Sequence, residues 1–193
     1  RIIHYYNGCY SNFIKTFYAK YEIEDIKDLG REVYNQNEIK NYADNVFIGK
    51  FSKVDMQKVI EAKSVGDIIL AYSNTIFGKF LNPLLDGNKS ESLFRFEMVL
   101  DMAYYSILQE EWDNLSSADQ RTIRHAFGIV GDILNIQWIY RGKKFYDLKP
   151  EILINYTIKL YDKLNYRKLK ELCYENTVSD FLKNARETEY GFL

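Results

Sequence analysis

The segment GDILNIQWIYRGKKF, residues 131–145, sets Asp132, Asn135 and Arg141 into an otherwise apolar run. A carboxylate, an amide and a guanidinium could bind a small ligand, polarise a substrate or tie down a neighbouring stretch of chain. Helical spacing separates them. Asp132 and Asn135 are three apart and share a face, while Arg141, nine positions beyond Asp132, lies roughly opposite. One helix therefore cannot gather the three into a compact catalytic cluster. The reading favoured by this spacing is structural: Asp132 and Asn135 buried against a neighbouring helix end or turn, Arg141 bonded elsewhere, with direct contact to another protein of a complex as the other option.

Other residues that could do chemistry are scattered. His4 and His125 are isolated and lack metal-ligand spacing. Glu110-Glu111 reads as a solvated helix face rather than an acid/base pair. Gly128-Ile-Val-Gly131 has the letters of an RNA-binding G-x-x-G loop, but it sits within a helix-spaced run. No phosphate-cradling GxxxxGK[ST] run is present. Cys9 and Cys173 lie far apart without metal-type neighbours and read as buried free thiols. Arg141, Lys143 and Lys144 form a small basic patch at a helix end, suited to the helix dipole or to an acidic partner. No nucleophile or paired-carboxylate constellation stands out, so no catalytic residue, cofactor or metal ligand is expected.

The elements that must position these residues are helical. Tyr6, Cys9/Tyr10, Phe13, Phe17 and Tyr21 recur at three- and four-residue steps. So do Phe96, Val99/Leu100, Ala103 and Ile107, and again Phe127, Val130, Leu134, Trp138 and Phe145. Ser52-x-x-Asp55, Ser64-x-x-Asp67, Ser117-x-x-Gln120 and Thr177-x-x-Asp180 read as helix starts. Pro150 suits the first turn of a further helix with Ile154, Ile158 and Tyr161 on its apolar side. Period-two alternation is absent, and the fold class read is all-α.

With 193 residues, 47% of them hydrophobic and 27% charged, the chain has the composition of a soluble globular protein. Lys+Arg 26 against Asp+Glu 27 gives no general attraction for nucleic acid or anionic lipid. No apolar run is long enough to span a bilayer, so direct membrane insertion is not expected.

The chain also repeats itself. SVGDIILAYSNTIFG from Ser64 resembles TVSDFLKNARETEYG from Thr177 at an offset of 113, a capped helix ending at a glycine suited to a left-handed position. A second match sets Arg1–Lys20 over Arg124–Lys143 at an offset of 123, with Cys9 in the place of Asp132 and Tyr18 in that of Arg141. The extra length of the first copy is assigned to the polar stretch YNQNEIKNYADN. On this reading residues 1–50 end a first helical unit, 51–165 form a complete second and 166–193 begin a third, within a longer protein.

These runs resemble the family of the C subunits of bacterial and archaeal V/A-type rotary ATPases, to which the eukaryotic V-ATPase d subunit belongs. The family pattern is a Glu-containing amphipathic helix, then D-x-x-N-[IL]-x4-R-x-K, then a hydroxyl-capped helix ending in T-x-[YF]. Here it falls on Glu97, Asp132, Asn135, Ile136, Arg141, Lys143, Thr177, Asp180, Thr188 and Tyr190. The resemblance implies three related helical-bundle units in a funnel with pseudo-three-fold relations. It implies a non-catalytic central-stalk rotor protein joining the shaft to the membrane proteolipid ring, cytoplasmic and membrane-peripheral through the complex. The alternative is an unrelated α-helical repeat scaffold or interaction module.

Overall fold

The computed structural model describes residues 5–36, 47–86 and 92–192. His4, the first residues of the Arg1–Lys20 segment and most of the 34–45 polar stretch lie outside them. Among the described residues the chain is all-α, with no strand. The helices are α1 (Cys9–Tyr34), α2 (Met56–Ile60), α3 (Val65–Tyr72), α4 (Gly78–Leu81), α5 (Ser92–Trp112), α6 (Ser117–Phe145), α7 (Pro150–Asn155), α8 (Tyr166–Tyr174) and α9 (Val178–Arg186). A short 3-10 turn, Asn82–Asp86, follows α4.

The helices gather into two compact units, residues 1–114 and residues 115–193. This partition differs from the repeat-based one at 50/51 and 165/166, because α1 is fastened along α5 and belongs with it. In the first unit Ile23, Ile26 and Leu29 of α1 are buried with Phe94, Phe96, Leu100 and Ala103 of α5, together with Ile68 and Tyr72 of α3. Gly30 brings the two long helices close: a Cβ there would stand 2.6 Å from the Phe96 ring. Charges complete the seam. Arg31 donates to Glu97 at 2.7 Å, and the buried Lys27 bonds Asp101 and, at 3.1 Å, Glu24. Burial pushes the Asp101 carboxyl above its ordinary range, opposed by the Lys27 ammonium. In the second unit Trp138 and Ile139 of α6 are buried with Leu153, Leu169, Leu172 and Phe181 of α7, α8 and α9.

Local chemistry explains where the helices begin. Asp55, Ser64, Ser116, Asn165 and Thr177 each accept a backbone N–H of the first turn. Two expected starts move. Ser116 rather than Ser117 caps α6, because Asp119 stands where its carboxylate can bond the hydroxyl in return, at 2.5 Å. Ser52 caps nothing and is instead held by Glu22. Helix α7 starts at Pro150 but stops at Asn155, leaving Ile158 and Tyr161 in the loop that follows. Of the two thiols only Cys173 is buried, its pKa pushed up to about 12 by burial; Cys9 is half-exposed.

The Lys27–Asp101 pair should behave as a buried one. Lys27→Ala is expected to cost about 3–5 kcal/mol by leaving Asp101 uncompensated, whereas Lys27→Met with Asp101→Leu should be close to neutral. Urea unfolding of the three proteins measures this, and equal losses in the single and double variants would refute it.

Candidate functional site

Asp132 and Asn135 are both 0% exposed, which settles their accessibility. They face the loop 158–164, which returns from α7 to α8. Asp132 Oδ2 accepts the backbone N–H groups of Asp162, Lys163 and Leu164 at 3.1, 2.8 and 3.1 Å. The Tyr190 hydroxyl donates to the same oxygen at 2.8 Å. Burial, and then the bond to Asp132, hold the Tyr190 phenol well above its ordinary pKa, so it stays a donor. Asn135 reads the same loop with both ends of its amide: Nδ2 donates to Ile158 O at 3.0 Å and Oδ1 accepts from Ile158 N at 2.7 Å. Two side chains of α6 thus satisfy five backbone groups of a half-buried loop that has no helix or sheet to do it.

Small residues make the approach possible. A Cβ at Gly131 would lie 2.1 Å from Leu160 O, and one at Gly128 would lie 2.7 Å from Asp162 N. The Gly128–Gly131 pair is therefore a groove in α6 that receives the loop backbone. A side chain at either position would meet backbone atoms, which cannot move aside without displacing the loop.

The loop runs directly into Asn165, the cap of α8. At the far end of α8, Lys143 Nζ donates to Glu175 O at 2.7 Å, and burial lowers the Lys143 pKa. Helix α6 therefore registers α8 at both ends, and the order of contacts makes the two helices run in the same direction. The other basic residues stay at the surface. Lys144 bonds the Tyr140 hydroxyl at 2.6 Å and lies over the Tyr140 and Phe145 rings, and Arg141 is exposed. Thr177 and Asp180 form the α9 cap, with Asp180 N donating to Thr177 Oγ1 at 3.0 Å and the hydroxyl donating back to Asp180 Oδ2 at 2.7 Å. Thr188 closes the α9 end by donating to Ala185 O at 2.6 Å, and that turn delivers Tyr190 to Asp132.

The first unit contains the same device built from different letters. Glu22 of α1, also 0% exposed, accepts from Gly49 N at 3.1 Å, Phe51 N at 2.7 Å and Ser52 N at 2.9 Å, and the Ser52 hydroxyl bonds it as well. Asp25 accepts from Phe47 N at 2.8 Å, as Asn135 does from Ile158 N. The α3 turn matches the α9 turn bond for bond: Thr75 Oγ1 donates to Tyr72 O at 2.7 Å, and Gly78 N to Thr75 O at 3.0 Å, against 3.1 Å for Gly191 N to Thr188 O. Neither glycine takes the left-handed conformation expected of it. Each is needed because a Cβ would stand 2.0 Å from the carbonyl oxygen of Ser73 or of Arg186.

These bonds correct the register of the second repeat. EIEDIKDLGREV from Glu22 lies over DILNIQWIYRGK from Asp132, an offset of 110 in place of 123. The acid and the arginine are then present in both copies, as Glu22 and Arg31 and as Asp132 and Arg141. Cys9 and Tyr18 do not stand in for them. A Glu in one copy and an Asp in the other accept the same kind of loop amides, an equivalence that letter identity conceals. Where Tyr190 supplies a hydroxyl to Asp132, the first unit has Phe77, and Ser52 supplies the hydroxyl to Glu22 instead.

Among the described residues no group of three or more His, Cys, Asp and Glu is placed to hold a metal ion. The Asp132 cluster is a loop clamp with no face open to a ligand. Asn135→Ala should destabilise the second unit by about 1–3 kcal/mol, and Tyr190→Phe by about 1 kcal/mol, since the latter keeps the ring and loses one hydrogen bond. Gly131→Ala should cost about 1–3 kcal/mol by overpacking against Leu160. Thermal unfolding orders these; a Tyr190→Phe loss equal to that of Asn135→Ala would contradict the assignment.

Comparison of the sequence with known proteins places the chain in a family. The pattern of the family described as ATP synthase (C/AC39) subunit matches residues 1–193. The C subunit of the A-type ATP synthase of Methanosphaera stadtmanae is 32% identical over 147 residues, covering 73% of this chain and 37% of its own length. That of Methanosarcina mazei is 23% identical over 191 residues, covering 98% of this chain and 51% of its own. That of Halobacterium salinarum is 25% identical over 122 residues, covering 62% and 35%. The chain spans about half or less of the length of these relatives. No solved structure matches it. The family match over the whole chain identifies it as a member of the ATP synthase (C/AC39) subunit family.

Proposed function

We propose that this chain belongs to a non-catalytic rotor component of a V/A-type ATPase, which couples the soluble shaft to the membrane proteolipid ring. The observation that carries the reading is the family match together with the use made of the polar motif. Asp132, Asn135, Glu22 and Asp25 are spent on holding loops against long helices. Such clamps suit a body that transmits force between partners. Among the described residues no helix is long and apolar enough to cross a membrane. Partner contacts to the ring and shaft would therefore be made by surfaces, with peripheral attachment at the cytoplasmic side. In the full-length protein, three related helical units arranged as a funnel would offer a wide rim to one partner and a base to the other. Arg141 and Lys144 would steer and register such contacts rather than supply raw affinity.

Reconstitution tests the role. Omitting the full-length protein from the purified complex should leave ATP hydrolysis by the soluble sector and abolish ATP-driven ion pumping. Normal pumping without it would refute the coupling role. Equal loss of hydrolysis and pumping would point to a part in catalysis or assembly instead.

A further inference from the structure

The N-terminal half of α1 carries a second apolar face, turned away from α5. The buried side of α1, which meets α5 at Lys27 and Gly30, runs through Phe13, Thr16, Ala19, Ile23 and Ile26. At about 100° per residue, Tyr10, Ile14, Phe17 and Tyr21 fall on the opposite side in one narrow stripe, with Tyr18 along its edge. Tyr10 and Tyr18 are 39% and 41% exposed, and Ile14 and Phe17 are half-buried. Tyr21 stacks on Phe47 at 4.9 Å between centroids and is still 54% exposed. Single exposed apolar residues are ordinary, but five along one stripe form a patch. Lys15 and Lys20 are both exposed and stand one on each flank, about 60° outside the stripe.

Charge sets this end of the helix apart. Residues 1–21 hold Arg1, Lys15 and Lys20 and no Asp or Glu, although the chain as a whole is almost neutral. Beyond Tyr21 the same side of α1 turns acidic, with Glu24, Asp28 and Glu32 in line. In the corrected register the stripe matches Gln120, Arg124, Phe127 and Gly131 of α6, only one of them aromatic. The patch is therefore particular to the first unit and lies outside the repeated clamp.

We propose that this stripe rests on the headgroup layer of an anionic membrane, touching it without crossing it. Lipid fits the stripe better than a protein groove does. Tyrosine dominates, and its apolar ring with a wet hydroxyl divides as a bilayer interface divides. Lysines on both flanks reach phosphates on either side of a helix laid on a plane. The change of sign after Tyr21 confines the contact to about 20 Å of helix and turns the acidic half away. This contact is independent of the rotor role: coupling needs no lipid contact, and a lipid contact supplies no coupling.

Vesicles of phosphatidylcholine, alone or with about 30% phosphatidylglycerol, test it when mixed with the full-length protein and separated by flotation. The protein should float with the anionic vesicles only. Lys15→Gln with Lys20→Gln should weaken binding about tenfold or more, the scale of two lysines near such a surface. Ile14→Gln with Tyr18→Gln should do the same while far-UV circular dichroism stays unchanged. Lys170→Gln with Lys183→Gln removes equal charge from α8 and α9 and should leave binding within about twofold. In the assembled complex in its membrane, photo-reactive benzoylphenylalanine in place of Tyr18 should form lipid adducts on irradiation. Failure of the full-length protein to float, unchanged flotation of either α1 variant, or equal loss from the two lysine pairs overturns the proposal. So do adducts to protein alone.

Discussion

One buried carboxylate per unit holds the architecture together. Asp132 concentrates three backbone N–H groups and a phenol on a single oxygen, and Glu22 does equivalent work for 49–52. A loop buried against a helix would otherwise leave its amides without partners, each at a cost comparable to a lost hydrogen bond. With the carboxylate in place the loop becomes a rigid corner. Asn165 and Asp55 then start short helices from that corner in a defined direction, and Lys143 fixes the far end of the first of them.

The clamp explains why such different side chains serve in the two copies. What must be preserved is the number of hydrogen bonds delivered to the carboxylate, not the residue delivering them. A hydroxyl reaches Asp132 from Tyr190 at the end of α9, and a hydroxyl reaches Glu22 from Ser52 in the clamped loop itself. The glycines follow the opposite logic. Gly78 and Gly191 are the same residue in both copies because the carbonyl five positions back leaves no volume for any other.

A body of this kind suits force transmission in the proposed rotor role. Asp132, Asn135 and Glu22 are aimed at loop backbone, which seats each loop on its long helix in one register. The long helices α1 and α6 serve as the struts, each with its loop seated in its own surface.

Much of this was legible in the sequence. Helical periodicity showed the all-α class, and the three-residue spacing of Asp132 and Asn135 put them on one face, away from Arg141. The matched stretches at 64 and 177 are local signals, since capping and the Thr-x-aromatic-Gly turn are made within a few residues. Other features required the tertiary structure. The backbone groups clamped by Asp132 lie about 30 positions away, and its hydroxyl partner Tyr190 lies 58 away, with no local pattern to join them. The equivalence of Glu22 with Asp132 was hidden for the same reason. Letter matching rewards identical residues, whereas the fold selects an acid that meets the loop amides, and only the positions of those amides identify it. Periodicity and caps are short-range properties that one helix expresses alone; which carboxylate meets which loop depends on the path of the whole unit.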